Sequence, residues 1–238
     1  MAVFEVAHHL AIPLAATDRL LISLTESGYV HRDSQTRFVR LGVKLAALGL
    51  AYLGASGITD LVQPILDDLA KRTGELVRLA VIEGDRLTWV AKAQGPRSGL
   101  FYSPDTGADV YLPATANGRA WLACLNDTDV RRLIQKQGMN RTGLGPNAPE
   151  DIETLLAQIA ATRARKFAMV TEAYEAGMSA MAAAIRKRNS ADPVGTVSVA
   201  GPTLRMTPAR MAELAPWLFA SANELGAASA SSPLFASP

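Results

Sequence analysis

The segment "YLPATANGRAWLACL", residues 111–125, contains residue types that could hold an anion. The small and polar run from Thr115 to Gly118 leads directly into a helix. The first-turn N–H groups of a helix have no partner within the helix, and together with the helix dipole they bind carboxylates and phosphates. A plain capped helix, with Thr115 or Asn117 as its N-cap, is the alternative that this stretch leaves open.

The distribution of catalytic residue types argues against an enzyme. The three histidines are His8, His9 and His31, so residues 58–226 contain none. That absence disfavours Ser-His or Cys-His catalysis and a histidine-ligated metal there. The pair Glu172 and Glu175 in "VTEAYEAG" is typical of a solvated loop. The sequence therefore predicts no catalytic residue, no cofactor and no metal site.

Residues 12–33, "IPLAATDRLLISLTESGYVHRD", combine a proline turn, an amphipathic helix and a glycine stop before a strand. This order is typical of a helix-turn-helix reading helix followed by a wing. An ordinary helical pair packed on a hairpin is the alternative. Under the first interpretation the helix contacts bases through Arg19. Residues at the helix start approach the bases closely through their backbone or make methyl contacts to thymine. The arginines of the wing contact phosphates. The predicted DNA-binding residues are Ala15, Ala16, Thr17, Arg19, Arg32, Arg37 and Arg40.

Composition indicates a folded protein without strong electrostatic bias. Of 238 residues, 49% are hydrophobic and 19% are charged, and the net charge of +2 permits nucleic acid without requiring it. The single cysteine, Cys124, excludes a disulfide within the chain and fits a reducing cytoplasm. The most apolar run, residues 41–58, contains Lys44 and several glycines, so we predict a linker helix and no membrane span.

Hydrophobic periodicity divides the chain into four predicted parts. Residues 1–42 form a helix-turn-helix module with its wing, and residues 43–57 form the linker helix. Residues 58–226 form an α/β domain with a hairpin turning at 83–85 and paired strands near 179–185 and 193–201. Residues 227–238, rich in Ala and Ser, are predicted to be a disordered tail.

Four motifs in order resemble the IclR family of bacterial transcriptional regulators, over nearly the whole chain. They are "DRLLISLTESGYVHRD" with "RFVRLG", "LAKRTGELVRLAVIEGDRLTWV", "LPATANGRAWLACL" and "VSVAGPTLRMT". The resemblance implies an α+β protein: a winged helix-turn-helix, a linker helix and a GAF/PAS-like effector-binding domain. It also implies operator DNA and a small organic acid as partners, and a homodimer or a dimer of dimers.

The resemblance also implies where the effector binds. In the family the carboxylate of the effector sits on backbone amides that match Ala116 and Asn117, next to Thr115. Residues near Glu172 and Tyr174 and polar groups of the late strands close the pocket. The late-strand positions match Ser198, Ala180 and Ala200, and the last two are apolar here. An apolar pocket favours a ligand with an apolar or aromatic body.

One departure from the family pattern modifies these expectations. Relatives normally carry a further helix before the position of Met1, so the winged helix is expected to be incomplete, through either a late start or a real truncation. We therefore expect Leu20, Leu21 and Leu24 to be less buried than in a complete module. The alternative function is a truncated cytoplasmic small-acid sensor that dimerises but binds DNA weakly.

Overall fold

A computed structural model describes residues 1–95, 107–188, 190–230, 232 and 235. The chain divides into two compact units, Met1–Ala55 and Ser56–Pro238. The predicted fold class, an N-terminal helix-turn-helix joined to a mixed α/β domain, is confirmed. The predicted linker helix falls at the end of the first unit.

The first unit consists of three helices and a two-stranded hairpin. Its elements are α1 (Val3–Leu10), α2 (Leu14–Glu26), β1 (Val30–Arg32), β2 (Val39–Leu41) and α3 (Val43–Ala55). Helix α2 starts after Pro13, and Gly28 follows it at φ +77°, which glycine adopts without strain. At the hairpin turn the carboxylate of Asp33 accepts hydrogen bonds from Thr36 and Gln35, and these lower the pKa of Asp33. The wing turn is thus held by its own side chains.

The second unit is built on a five-stranded antiparallel sheet of order β4-β3-β7-β6-β5. The strands are β3 (Leu76–Glu83), β4 (Arg86–Gln94), β5 (Ala168–Thr171), β6 (Met178–Arg186) and β7 (Pro193–Pro202). The helices are α4 (Gln63–Thr73), α5 (Ala116–Leu122), α6 (Asp127–Gln137), α7 (Ile152–Arg165) and α8 (Pro208–Ala228). A π-helical turn, Ile58–Val62, precedes α4. Pro64 lies in the first turn of α4, where a missing N–H costs no helical hydrogen bond.

Helices cover both faces of this sheet. Thr196 of β7 accepts a hydrogen bond from Asn117 of α5, so the even-numbered residues of β7 face α5. The alternate residues Val197 and Val199, both fully buried, face the side where α8 packs. Helix α5 is therefore held between the sheet and the outer helices α6 and α7, and its position defines the cavities described below.

An ion pair between a buried carboxylate and a partly exposed arginine fixes the turn after β7. The carboxylate of Glu75, which is 5% exposed, accepts from Nε and Nη2 of Arg205 at 2.5 and 2.9 Å. A side chain at Gly201 would collide with that carboxylate, so this position requires glycine. The glycine and the arginine of the "GPTLRMT" motif therefore serve the fold.

The prediction of a disordered tail from residue 227 is wrong for the described residues. Helix α8 continues to Ala228, and Ser229 donates to the carbonyl of Gly226. Ser232 donates to the carbonyl of Ser56, and Phe235 is 2% exposed. Composition alone missed this because the burial of Phe235 depends on tertiary packing.

Within the described ranges, no single helix is long and apolar enough to cross a membrane. Two consecutive helical segments, Val43–Ala55 and Asp60–Thr73, pass such a test together on length and composition alone.

Candidate functional site

A cavity of about 40 Å³ opens in the second unit at the start of α5. Its walls come from that helix start, from strands β3, β5, β6 and β7, and from the segment that follows β5. The lining residues are Arg78, Ala114, Thr115, Ala116, Asn117, Val170, Tyr174, Glu175, Met178, Ser179, Ala180 and Ala200. Its mostly apolar lining with a few polar groups is typical of a small-molecule pocket.

The helix start supplies hydrogen-bond donors at this cavity. Thr115 is the N-cap of α5, and its hydroxyl accepts from the N–H of Gly118 at 3.0 Å. Among the described residues, no acceptor is found for the N–H groups of Ala116 and Asn117. First-turn N–H groups point away from the body of the helix and attract negative charge. Of the two N-cap candidates, Thr115 and Asn117, the structure has Thr115, and the first turn leaves two amides for a ligand.

The side chain of Asn117 has a structural role. Its Oδ1 accepts from Nε1 of Trp89 at 3.3 Å, and its Nδ2 donates to Oγ1 of Thr196 at 2.9 Å. Asn117 is 2% exposed, and the oxygen and the nitrogen of its side-chain amide each have a partner in the protein. These bonds tie α5 to β4 and β7 and hold its first turn at the cavity wall.

Arg78 and Tyr174 add a cation and an aromatic ring to the lining of the cavity. Arg78 is 6% exposed and stacks its guanidinium over the ring of Trp89 at 3.9 Å. The rings of Trp89 and Tyr174 meet edge to face at 6.4 Å. A carboxylate in this cavity would therefore lie near a buried positive charge, and an aromatic body would lie near aromatic and alanine side chains.

A second buried arginine supports the helix start from outside the cavity lining. Nε of Arg119 donates to the carbonyl of Pro113 at 2.8 Å, and burial lowers the pKa of Arg119 to about 10. Nη2 of Arg119 is buried with no hydrogen-bond partner in the described part of the chain. The arginine thus braces the turn that precedes α5 at a cost in desolvation.

Of the eight predicted effector residues, six line the cavity: Thr115, Ala116, Asn117, Tyr174, Ala180 and Ala200. The other two predictions need correction. Ser198 is 1% exposed behind the wall, with its Oγ 3.5 Å from the carbonyl of Arg78. Glu172 adopts φ +48°, and its carboxylate accepts from the N–H of Gly177, so it closes a turn. Glu175 lines the cavity in its place.

Sequence reasoning missed six lining residues: Arg78, Ala114, Val170, Glu175, Met178 and Ser179. Arg78 carries the one signal that could have been found, because it interrupts an otherwise apolar strand from Leu76 to Ile82. A charged side chain inside a buried strand needs a partner or a function. The others are placed by the tertiary fold.

The first unit presents a second candidate surface, on α2 and the hairpin. Ala15 and Arg19 are exposed and Ala16 is half-buried, as a base-contacting face requires. Thr17 is a correction: it is 1% exposed and its hydroxyl donates to the carbonyl of Pro13, so it does not face outward. Leu21, at 7% exposure, is likewise buried against expectation, whereas Leu20 and Leu24 are 55% and 41% exposed.

The three wing arginines differ in their availability. Arg37 and Arg40 are exposed, and neither forms an ion pair with any residue that the structure describes. Arg32 is half-buried and contacts the carboxylate of Asp18 at 3.0 Å. The charge of Arg32 is thus partly neutralised, so Arg37 and Arg40 remain the better candidates for phosphate contacts.

Comparisons with known proteins agree with this architecture. Residues 50–227 match the family profile described as the bacterial transcriptional regulator IclR C-terminal domain, and residues 1–34 match that of the IclR helix-turn-helix domain. The chain is 30% identical over 223 residues to the HTH-type transcriptional regulator BhcR of Paracoccus denitrificans, covering 93% of this chain and 78% of BhcR.

Two solved structures extend the comparison. An IclR-type regulator from a Silicibacter species superposes with a TM-score of 0.81 at 24% identity, covering 95% of this chain and 87% of its own. The inducer-binding domain of PobR from Acinetobacter, solved as a double mutant with 3-hydroxybenzoic acid, has a TM-score of 0.61 at 25% identity. That likeness covers 69% of this chain and 95% of the PobR domain.

Proposed function

Because the chain belongs to the IclR family of bacterial transcriptional regulators, we propose that it binds operator DNA through its first unit and a small organic acid through its second. The cavity at the start of α5 carries the second part of this proposal. It combines two helix-start amides for which the described residues supply no acceptor, a buried guanidinium and a mostly apolar lining, which together match a carboxylate joined to an apolar body.

We propose an aromatic acid as the preferred class of ligand. Ala180 and Ala200 offer no hydrogen-bonding side chains, and polar ligand groups facing them would be left unpaired. Tyr174 supplies an aromatic side chain to the lining, and the ring of Trp89 packs against it edge to face. The complex of PobR with 3-hydroxybenzoic acid supports the same choice by analogy.

The test of this function measures DNA binding and its response to acids. The full chain is titrated onto the intergenic DNA beside its gene in a gel-shift assay, with and without millimolar benzoate, 3-hydroxybenzoate or acetate. We expect a salt-sensitive shift whose midpoint changes with an aromatic acid. Stabilisation by an acid without any DNA shift would favour the alternative, a sensor that hardly binds DNA. Turnover of the acid would contradict both.

We further propose that the chain forms a homodimer through the first unit and helix α3. None of the residues of α3 is buried, although the helix is mostly apolar. Its exposed apolar side chains include Val43, Leu45, Leu48, Leu50 and Tyr52. Val43 and Leu50 lie on one side of α3, and Leu45, Leu48 and Tyr52 lie on the other. Exposed apolar helix surface of this extent usually marks an interface, and a second copy of the chain offers the same surface for a symmetric contact.

Replacing Leu48 and Tyr52 together by Lys is expected to weaken self-association at least about tenfold, because two charges would be buried in the contact. The two residues lie four apart and therefore on one side of α3. Sedimentation velocity over a dilution series measures the change. Leu204→Lys is the matched control, because Leu204 is 93% exposed in the second unit. A wild-type monomer at micromolar concentration would contradict the dimer.

A further inference from the structure

A second cavity, of about 410 Å³, lies at the other end of α5 from the first. Strand β5 pairs with β6 only as far as Ala182, so the next residues of β6 have no neighbouring strand on that side in the described structure. Ala183 and Ala184 point to opposite faces of the sheet, yet both line the cavity. The space therefore wraps around the uncovered edge of β6, between α5, the end of α7 and α8.

The charged residues that line this cavity are all cations. Of its described lining residues, Arg163, Lys166 and Arg186 are basic and none is acidic. The guanidinium of Arg163 contacts Asp127 at 2.8 Å and the carbonyl of Leu125 at 2.7 Å. Lys166 forms no ion pair with any described residue. Among the described residues, the carboxylate of Asp127 is thus the one that pairs with any of these three cations.

Arg186 keeps its positive charge at the cavity wall. It donates to the carbonyl of Ala191 and, at 3.2 Å, to Sγ of Cys124. Burial raises the pKa of the Cys124 thiol, with Arg186 and Arg163 acting in the opposite direction. The thiol is therefore mostly neutral near pH 7, and neither partner of Arg186 carries a negative charge. Hydrogen bonds to neutral acceptors orient this guanidinium without cancelling its field.

The rest of the lining is apolar or uncharged. The rings of Phe167 and Phe219 meet edge to face at 5.8 Å. The remaining lining residues are Ala120, Ala123, Cys124, Thr162, Ala183, Ala184, Ala222 and Asn223. An apolar floor beneath a group of cations matches a ligand that has an apolar body and one anionic group.

We propose that this cavity is a second ligand site, separate from the effector cavity, for an organic anion with a bulky apolar body. The body packs on the phenylalanine and alanine side chains, and the anionic group contacts Lys166 and the two arginines. The edge of β6 leaves room for a larger body than the first cavity, because the second cavity measures about 410 Å³ and the first about 40 Å³.

The test is isothermal titration of the full chain with 2-naphthoate, naphthyl phosphate and the neutral isostere 2-naphthamide. We expect both anions to bind and the amide to bind at least about tenfold more weakly, the loss typical of one hydrogen bond to a charged group. Preference for the phosphate or for the carboxylate identifies the anionic group, and either preference supports the site. Equal affinity for 2-naphthoate and 2-naphthamide would overturn the proposal, as would no binding by either anion.

Two variants assign the binding to this cavity. Ala184→Phe fills the space beside β6 and should abolish binding of 2-naphthoate. Lys166→Gln removes an exposed cation and should weaken it about tenfold without affecting the fold. Arg165→Gln is the matched control, because Arg165 is exposed one residue earlier and does not line the cavity. Binding that survives both variants, or that Arg165→Gln weakens as strongly as Lys166→Gln, would contradict the assignment.

Discussion

The Ala180→Phe variant is expected to lose the stabilisation that small aromatic acids give to the wild-type chain. Ala180 lies on β6 opposite Ala200, and both side chains line the cavity at the start of α5. A phenyl ring at this position would occupy the space that the body of the ligand needs. A ligand that binds only the folded state at a hundred times its Kd stabilises by about 2.7 kcal/mol, and that whole increment should disappear.

Thermal unfolding with benzoate, 3-hydroxybenzoate and benzamide measures this effect, and the neutral amide shows the contribution of the carboxylate. Ala184→Phe is the matched control, since it makes the same change four residues further along β6, in the other cavity. It should keep the response to benzoate. An unchanged response in Ala180→Phe would refute the assignment of the first cavity, whatever happens at the second.

Ala116→Pro covers the case in which Ala180→Phe folds poorly. Proline at the first position of α5 removes one amide donor from the cavity wall, and the preceding Thr115 is already extended, at φ −99° and ψ 149°. Proline at Asn117 would also break the bonds to Trp89 and Thr196, so it is a poorer test. We expect Ala116→Pro to weaken acid binding about tenfold while the fold is retained.

The order of elements could be predicted from the sequence because it depends on local signals. Alternating apolar residues on both sides of a turn predicted the β3–β4 hairpin. The Thr207-Pro208 pair at the start of α8 is a local signal of the same kind, because Thr207 caps the helix by accepting from the N–H of Arg210. Long-range packing carried no such signal. The burial of Phe235 and the pairing of Glu75 with Arg205 join residues far apart in the chain.

The candidate site divides in the same way. The helix start at Thr115 was predictable because an N-cap joins a side chain to a backbone N–H only a few residues further along the chain. Ser198 and Ala200 lie on the same face of β7, yet only Ala200 reaches the cavity, and strand periodicity does not distinguish them. The sequence pattern also does not distinguish Glu172 from Glu175, because their different roles depend on the positive φ of Glu172. Which side chain reaches a cavity is decided by the turn geometry and by neighbouring strands.

Replacing Arg37 and Arg40 together by Gln is expected to weaken DNA binding more than other substitutions on the surface of the first unit. Both side chains are exposed on the hairpin, whereas Arg32 is held by Asp18 at 3.0 Å. Helix α2, which is proposed to contact the bases, offers few hydrogen-bond donors, because Ala15 and Ala16 lie at its start and Thr17 is buried. Phosphate contacts should therefore supply most of the affinity.

For two lost phosphate contacts we expect about hundredfold weaker binding, and a slope of log K against log salt that is shallower by about 1.8. Gel-shift titrations at several salt concentrations measure both quantities. The double variant Lys71→Gln/Arg165→Gln makes the same change in net charge at two exposed positions of the second unit and should leave the slope unaltered. An equal loss in this control would mean that only overall charge matters. Undiminished affinity in the Arg37 and Arg40 variant would place the phosphate contacts elsewhere on the first unit.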